Sequence, residues 1–214
     1  MIITLAIESA IGGGSLALLR GDEVKGDSTG TASRAEQVLI AIDELLKKCS
    51  FQREDVDRIA VSNGPGSYTG IRVAIATALG FSKALNIDCI GVPLFEAICE
   101  IYAVPGETTL VAVQTGKDEY AWQTFGTDSH ASHPAADSFD GLLEKAEWAN
   151  TNAAFLSEEL AGRINALNRP FAAALRIIPI NVNLAKVIGQ ASLNRPSLPP
   201  SPIYLRRSGL RTGF

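Results

Sequence analysis

The sequence predicts a mixed α/β or α+β chain in two parts, and three observations predict it. Strand-like and helix-like segments mix from one end to the other, which excludes an all-helical or all-β class. A glycine-rich turn, Gly64 to Gly70, follows a short strand and opens a long apolar helix. A run of breakers, Val104-Pro105-Gly106-Glu107, interrupts the pattern near the middle. It divides the chain into an α/β domain of residues 1–104 and a smaller one of residues 105–214.

Each element has its own local reason. "MIITLAIES" is rich in Ile and Leu and reads as a strand, "AIGGG" as a turn. "SLALLRGDEV" is the second strand of a hairpin, with Gly21-Asp22 as its following turn. "SRAEQVLIAIDELLKKC" places Ala35, Val38, Leu39, Ile42, Leu45, Leu46 and Cys49 at helical spacing, with Ser33 as N-cap and Glu36 completing a capping box. "RIAVSN" is a short strand; the turn and helix of "SNGPGSYTGIRVAIATALGFSKAL" follow, then "CIGV" as strand and "LFEAICEIYA" as helix. Beyond the break, "TTLVAVQTG" and "EYAWQTFG" form a hairpin. "SFDGLLEKA", "SEELAGRINAL" and "NVNLAKVIGQASL" read as helices, "AAFLS" and "ALRIIPI" as short strands. "NRPSLPPSP" is extended, because proline cannot continue a helix. No internal repeat of about 20–50 residues is visible.

Composition narrows the function. At 214 residues and 46% hydrophobic, the chain can bury a core and is not disordered. A net charge of −4 and a pI near 5.3 exclude a protein that grips nucleic acid alone through a basic stripe. Only Arg206, Arg207 and Arg211 cluster, as a solvated tail. Cys49, Cys89 and Cys99 are odd in number and widely spaced, and read as small buried hydrophobes of a reducing cytosol. The N-terminal stretch lacks the basic region of a signal peptide, and no apolar run reaches the roughly 18 residues of a membrane span. The expected location is the cytoplasm, with no membrane partner.

The glycine turn has two readings. Gly64, Gly66, Ser67, Thr69, Gly70 and Arg72 form a candidate anion-binding loop, because a helix N-terminus after such a turn offers free N–H groups. The other reading is a tight turn with Ser67 or Thr69 capping the helix. It is not a Walker A loop, since Ile71 rather than Lys follows Gly70, nor GxGxxG, since Thr69 stands where a glycine is required. Arg72 lies in the first helical turn, against the dipole, which suggests a carboxylate or phosphate partner.

The helix itself carries apolar residues on every side, the pattern of an element covered all round. Small residues at four-residue spacing, Gly70/Ala74/Ala78 and Gly80/Ala84, let another helix approach. The cover is the helix of residues 33–49 or another subunit. The expected interface is Val38, Leu39, Ile42, Leu45 and Leu46 with Ala74, Ala78 and Phe81.

Hydrolytic chemistry is poorly served. A metalloprotease needs two histidines four apart on a helix with a glutamate, but His130 and His133 are three apart in a loop-like stretch. Ser67 is no nucleophile-elbow serine, because GPGSY is not GxSxG and no histidine is placed as its base. No catalytic residue and no metal ligand is assigned.

The turn-helix stretch resembles the GPGSFTGLR-type signature of the TsaB family, also called YeaZ. Three more segments agree in order: "ITLAIESAIGGGSLALL" with the family's opening strand-turn-strand, "SRAEQVLIAIDELL" with its first helix, and "SPIYLRR" with its closing P-x-Y-L-R. The resemblance covers the whole chain and is strongest over residues 1–100. It implies an α/β fold of the actin/Hsp70/sugar-kinase type, in two related halves with the second reduced. It implies a part in making threonylcarbamoyladenosine in tRNA, as a non-catalytic partner of a TsaD-like catalytic subunit joined by a TsaE-like ATPase. Without that partner, the apolar helix of residues 70–85 and the helix of residues 33–49 should drive self-association into a homodimer. A chain of pI near 5.3 is expected to reach tRNA mainly through the complex, and no cofactor is required by the chain itself, any ATP or ADP being expected in the complex. Three positions depart from the family pattern: Glu8 stands for the usual Asp, Gln114-Thr115-Gly116-Lys117 for an Asp-Ala-Arg-like hairpin, and Ser33 for a His. Magnesium sites want carboxylates, and Gln114 supplies none. The alternative is an independent nucleotide-binding ATPase or phosphotransferase of the same fold, for which Glu8 is the lone candidate carboxylate in the first hairpin.

Overall fold

The computed structural model describes residues 1–30, 35–127, 131–145, 150–167, 175–180 and 182–205. The first of two compact units joins Met1–Ile101 to Val182–Tyr204, and the second lies between Tyr102 and Asn181.

The first unit is built on strands β1 (Ile3–Glu8), β2 (Ser15–Arg20), β3 (Glu23–Thr29), β4 (Arg58–Ser62) and β5 (Asp88–Val92), in the order β3-β2-β1-β4-β5. The first three form an antiparallel meander, while β4 and β5 run parallel to β1. The parallel pairs need crossovers. Helix α1 (Ala35–Lys48) leads from β3 into β4, α2 (Tyr68–Leu85) leads from β4 into β5, and α3 (Leu94–Tyr102) follows β5.

All six residues of β1 are buried, because helices cover both faces of the sheet. Successive side chains point to opposite faces. Leu5 and Ile7 join Val38, Ile42, Leu45, Ala74 and Ala78 in one core. Burial of each such Leu or Ile contributes about 1.5–3 kcal/mol. Ala6 and Leu19 face the other way, onto helix α6 (Leu184–Ala191), where Gly189 lets the backbone close in. A Cβ there would meet Leu19 Cδ1 at 2.4 Å and Ala6 Cβ at 3.2 Å.

The expected second domain of residues 105–214 therefore needs correction: the units part at Ile101 and Tyr102, close to residue 104, but the last helix returns to the first unit. The buried apolar face of α6 holds it on the sheet, and Asn183 fixes its start. Its Oδ1 caps α6 by accepting from Lys186 N at 3.1 Å. Its Nδ2 donates to the carbonyls of Leu16 (3.1 Å) and Ser28 (2.9 Å), pinning the cap to β2 and β3. The proline-rich segment is extended, as its sequence predicts. Gly91 N donates to Leu198 O at 2.9 Å, and Ile203 N to Asn63 O at 2.7 Å.

The second unit repeats this plan. Strands β6 (Thr109–Gly116), β7 (Glu119–Phe125), β8 (Ala135–Asp137), β9 (Ala153–Leu156) and β10 (Arg176–Pro179) are ordered β8-β7-β6-β9-β10, two antiparallel pairs and then two parallel ones. Helices α4 (Phe139–Lys145) and α5 (Glu158–Ala166) fill the places of α1 and α2. Strand number is kept and the shortening falls on β8, β9 and β10: β8 has 3 residues where β3 has 7, and β9 and β10 have 4 each where β4 and β5 have 5. Its core holds one buried carboxylate, Asp137, which accepts from Trp122 Nε1 at 3.2 Å and pairs with Lys145 Nζ at 2.5 Å. A buried charge is tolerated when it is paired in this way.

Strands β3 and β8 are absent from the sequence reading. β3, "EVKGDST", is a half-exposed edge strand with too few apolar residues to alternate visibly. The N-cap assigned to Ser33 lies outside the described residues. Cys49, Cys89 and Cys99 are free and half-buried, and burial pushes the Cys89 and Cys99 thiols up to about 12. No helix among the described residues is long and apolar enough to cross a membrane.

Candidate functional site

The glycine turn is anchored to its own protein. Ser67, not Thr69, is the N-cap of α2, its Oγ accepting from Gly70 N at 3.4 Å. Gly64 holds a left-handed φ of +90°, which a side chain would strain. Gly66 and Gly70 press against the turn after β1, where a Cβ would meet Ala10 Cβ at 2.5 Å and Ser9 O at 2.1 Å respectively. Ser67 N donates to Ala10 O (3.0 Å), Gly64 N to Ser62 Oγ (3.1 Å) and Ile71 N to Ser67 O (2.9 Å). With Gly70 N on the Ser67 hydroxyl, three N–H groups of the candidate anion loop, and that of Ile71 beside it, are already used within the chain.

Glu8 ends β1 beneath this turn and is fully buried. Its Oε1 accepts from Ala10 N at 2.5 Å and Ile11 N at 3.1 Å. Its Oε2, like the neighbouring Ser9 hydroxyl, is buried without a hydrogen-bond partner. Loss of solvent raises the carboxyl from 4.5 to about 7, and the two backbone N–H groups pull back only part of that rise. Chemically, Glu8 is a carboxyl that shapes the turn.

The carboxylate or phosphate expected beside Arg72 is replaced by an aromatic clamp. The guanidinium stacks 3.9 Å above the Tyr68 ring, and its Nε donates to the Tyr204 hydroxyl at 3.0 Å. The two tyrosine rings lie 4.8 Å apart. Tyr204 belongs to the "SPIYLRR" segment, 132 residues away in sequence. Nothing in the local spacing around Arg72 could have paired them.

The expected interface also needs correction. Val38, Ile42, Leu45, Leu46, Ala74, Ala78 and Phe81 are buried within the first unit, packed between α1, α2 and the sheet. Among the eight, Leu39 alone is exposed, at 49%. The apolar surface left open lies one step round the helices. A groove of about 460 Å³ is lined by Leu39 and Phe81 of the expected set together with Ala76, Thr77, Gly80, Ala84 and Leu85, and by Arg53 and Glu54. Gly80 and Ala84 were recognisable as a small-residue pair; Ala76 was hidden because α2 is apolar on every side.

In the second unit, Gln114 is half-buried at the end of β6, and Thr115 Oγ1 bonds Glu119 Oε1 at 3.1 Å across the hairpin. His133 is exposed, and His130 lies outside the described residues, as do Arg206, Arg207 and Arg211. Among the described residues, no group of three or more His, Cys, Asp or Glu side chains is placed to hold a metal ion.

The family model described as TsaD: tRNA N6-adenosine threonylcarbamoyltransferase matches residues 30–194. The tRNA threonylcarbamoyladenosine biosynthesis protein TsaB of Bacillus subtilis is 31% identical over 96 residues, 44% of this chain and 42% of that one. An uncharacterized protein of Mycobacterium tuberculosis is 28% identical over 121 residues, 55% of this chain and 53% of its own. The chain thus spans about half the length of the curated relatives it matches. Among solved structures, YeaZ from Pseudomonas aeruginosa superposes with a TM-score of 0.68 at 19% identity, over 96% of this chain and 100% of that one. A Bacteroides thetaiotaomicron protein with an actin-like ATPase fold superposes with a TM-score of 0.53 at 10% identity, over 91% and 96%. The repeated sheet plan and these likenesses give the chain an α/β fold of the actin/Hsp70/sugar-kinase type.

Proposed function

We propose a role that proceeds from kinship: the chain belongs to the family TsaD, tRNA N6-adenosine threonylcarbamoyltransferase, and acts as a non-catalytic partner of a TsaD-like subunit. The product is threonylcarbamoyladenosine in tRNA, which is also the pathway named for its TsaB relatives. A TsaE-like ATPase joins the complex, ATP or ADP belongs to the assembly rather than to this chain, and tRNA is reached mainly through the partner.

The open groove beside α2 carries this reading. Gly80 has no internal reason to be glycine, since a Cβ there would meet nothing within 4 Å. Glycine inside a helix costs about 0.5–1 kcal/mol relative to alanine. The small stripe Ala76/Gly80/Ala84 beside Leu39 fits the close approach of a partner's helix, and the same patch would pair two copies about a two-fold axis when the chain is alone. The buried Glu8 supports a non-catalytic role, because both its oxygens are sealed from a substrate.

The test is capture of partners from native cytosol together with sedimentation of the pure chain. Gly80→Glu sets a carboxylate in the groove without touching the core. Stranding a charge in a contact costs several kcal/mol, so partner affinity should fall about 100-fold or more. The variant should sediment as a folded monomer where the wild type self-associates. Retention of the TsaD-like subunit by Gly80→Glu would overturn the groove assignment. ATP turnover by the pure chain should be negligible, and robust turnover abolished by Glu8→Ala would favour the phosphotransferase alternative instead.

A further inference from the structure

We propose that the exposed tyrosine pair at the start of α2 is a stacking surface for an unpaired RNA base. The proposal rests on the tRNA reading above and assigns this chain a contact of its own with the RNA. Tyr68 and Tyr204 are 53% and 42% exposed, although both are large aromatic side chains held in fixed positions. Arg72 does the holding: it stacks on Tyr68, bonds the Tyr204 hydroxyl, and lies 5.7 Å from the Tyr204 ring centre. The main chain behind Tyr204 is fastened as well, through Ile203 N on Asn63 O and Ser201 N on Asn63 Oδ1. A clamp that only secured the segment would not need to leave two rings half in water. Rigid aromatic faces flanked by a guanidinium suit base stacking, which is tolerant of sequence because every base has a π face.

The distribution of charge agrees. Residues 68–85 and 195–214 hold six of the chain's 19 cationic side chains and none of its 23 acidic ones. Arg195 is engaged with Glu96 and Glu100, but Arg72 and Lys83 lie on α2, and Arg206, Arg207 and Arg211 follow Tyr204 in sequence. Neither segment carries a carboxylate side chain of its own, in a chain that is acidic overall. A lone nucleotide would need a concave site enclosing most of it. A strand adds phosphate contacts to cations along its path, so RNA suits this open surface better.

The experiment titrates the full chain against a fluorescein-labelled RNA hairpin with an unpaired loop, and against a blunt RNA duplex, by fluorescence anisotropy at low salt. The wild type should bind the hairpin weakly, at micromolar concentration or above, and prefer it to the duplex. Tyr68→Ala should weaken hairpin binding about 10-fold, with duplex binding unchanged, while Tyr68→Phe, which keeps the ring, should stay within about 2-fold of wild type. Circular dichroism confirms that each variant is folded. Undetectable hairpin binding, no preference over duplex, or a Tyr68→Ala chain that binds like wild type would each overturn the proposal. So would a Tyr68→Ala chain that loses its protein partner while keeping its affinity for the hairpin. The parent reading fails separately, in the partner capture probed by Gly80→Glu, which leaves Tyr68 untouched.

Discussion

Gly70→Ala should unfold the first unit or leave it severely destabilised. The added Cβ would stand 2.1 Å from Ser9 O and 2.8 Å from Ala10 Cα. Both are backbone atoms, so no rotamer change relieves the clash. Relief requires moving the turn after β1, which carries the Ser67 N to Ala10 O bond and the two N–H groups that Glu8 accepts from. Overpacking of this kind costs about 3 kcal/mol or more. The control lies in the same helix. Gly80→Ala meets nothing within 4 Å and should stabilise the isolated chain by roughly 0.5–1 kcal/mol. Urea unfolding of the two variants should therefore give shifts of opposite sign. Equal shifts would mean that helix propensity, not the Ser9 contact, governs both positions.

The two glycines also show how far the sequence could be read. Their spacing marked a tight turn and a helix that something approaches closely. It could not say that Gly70 is pressed by its own chain while Gly80 faces outward, because that difference depends on where β1 ends in space. The same holds for the interface. Val38, Ile42 and Ala78 were legible as one apolar stripe, but a stripe that fills a core and one that meets a partner have the same period. Only burial separates them: Ala78 is fully enclosed and Leu79 is 45% exposed. Most strands and helices were legible because they are strongly periodic. The return of residues 182–204 to the first unit was not, since it depends on long-range contacts: an asparagine bonding carbonyls more than 150 residues away and a buried helix face on the sheet. The Arg72 clamp was hidden for the same reason. The unsuitable place of a cation in the first turn signalled a partner, and the nature of that partner was a matter of tertiary structure.

Glu8→Gln should make the protein more stable above neutrality and nearly unchanged in mild acid. In the unfolded chain this carboxyl ionises at its ordinary 4.5, whereas in the fold burial holds it protonated up to about 7. Between those values the folded state binds the extra proton, so stability falls as pH rises. The contribution is fully present below 4.5 and is lost as pH climbs through about 7. Between about pH 5 and about pH 8 the change is on the order of 2–3 kcal/mol. Glutamine retains an oxygen to accept from Ala10 N and Ile11 N, and its uncharged amide replaces the oxygen that has no partner. The comparison is therefore a double difference, wild type against Glu8→Gln in urea at the two pH values, from which every other titrating group cancels. The variant should gain on the order of 2–3 kcal/mol relative to wild type on going from the acid to the alkaline condition. A gap that stays constant would mean that Glu8 ionises normally and is reached by solvent or a counter-ion. Its burial would then no longer support a non-catalytic first hairpin.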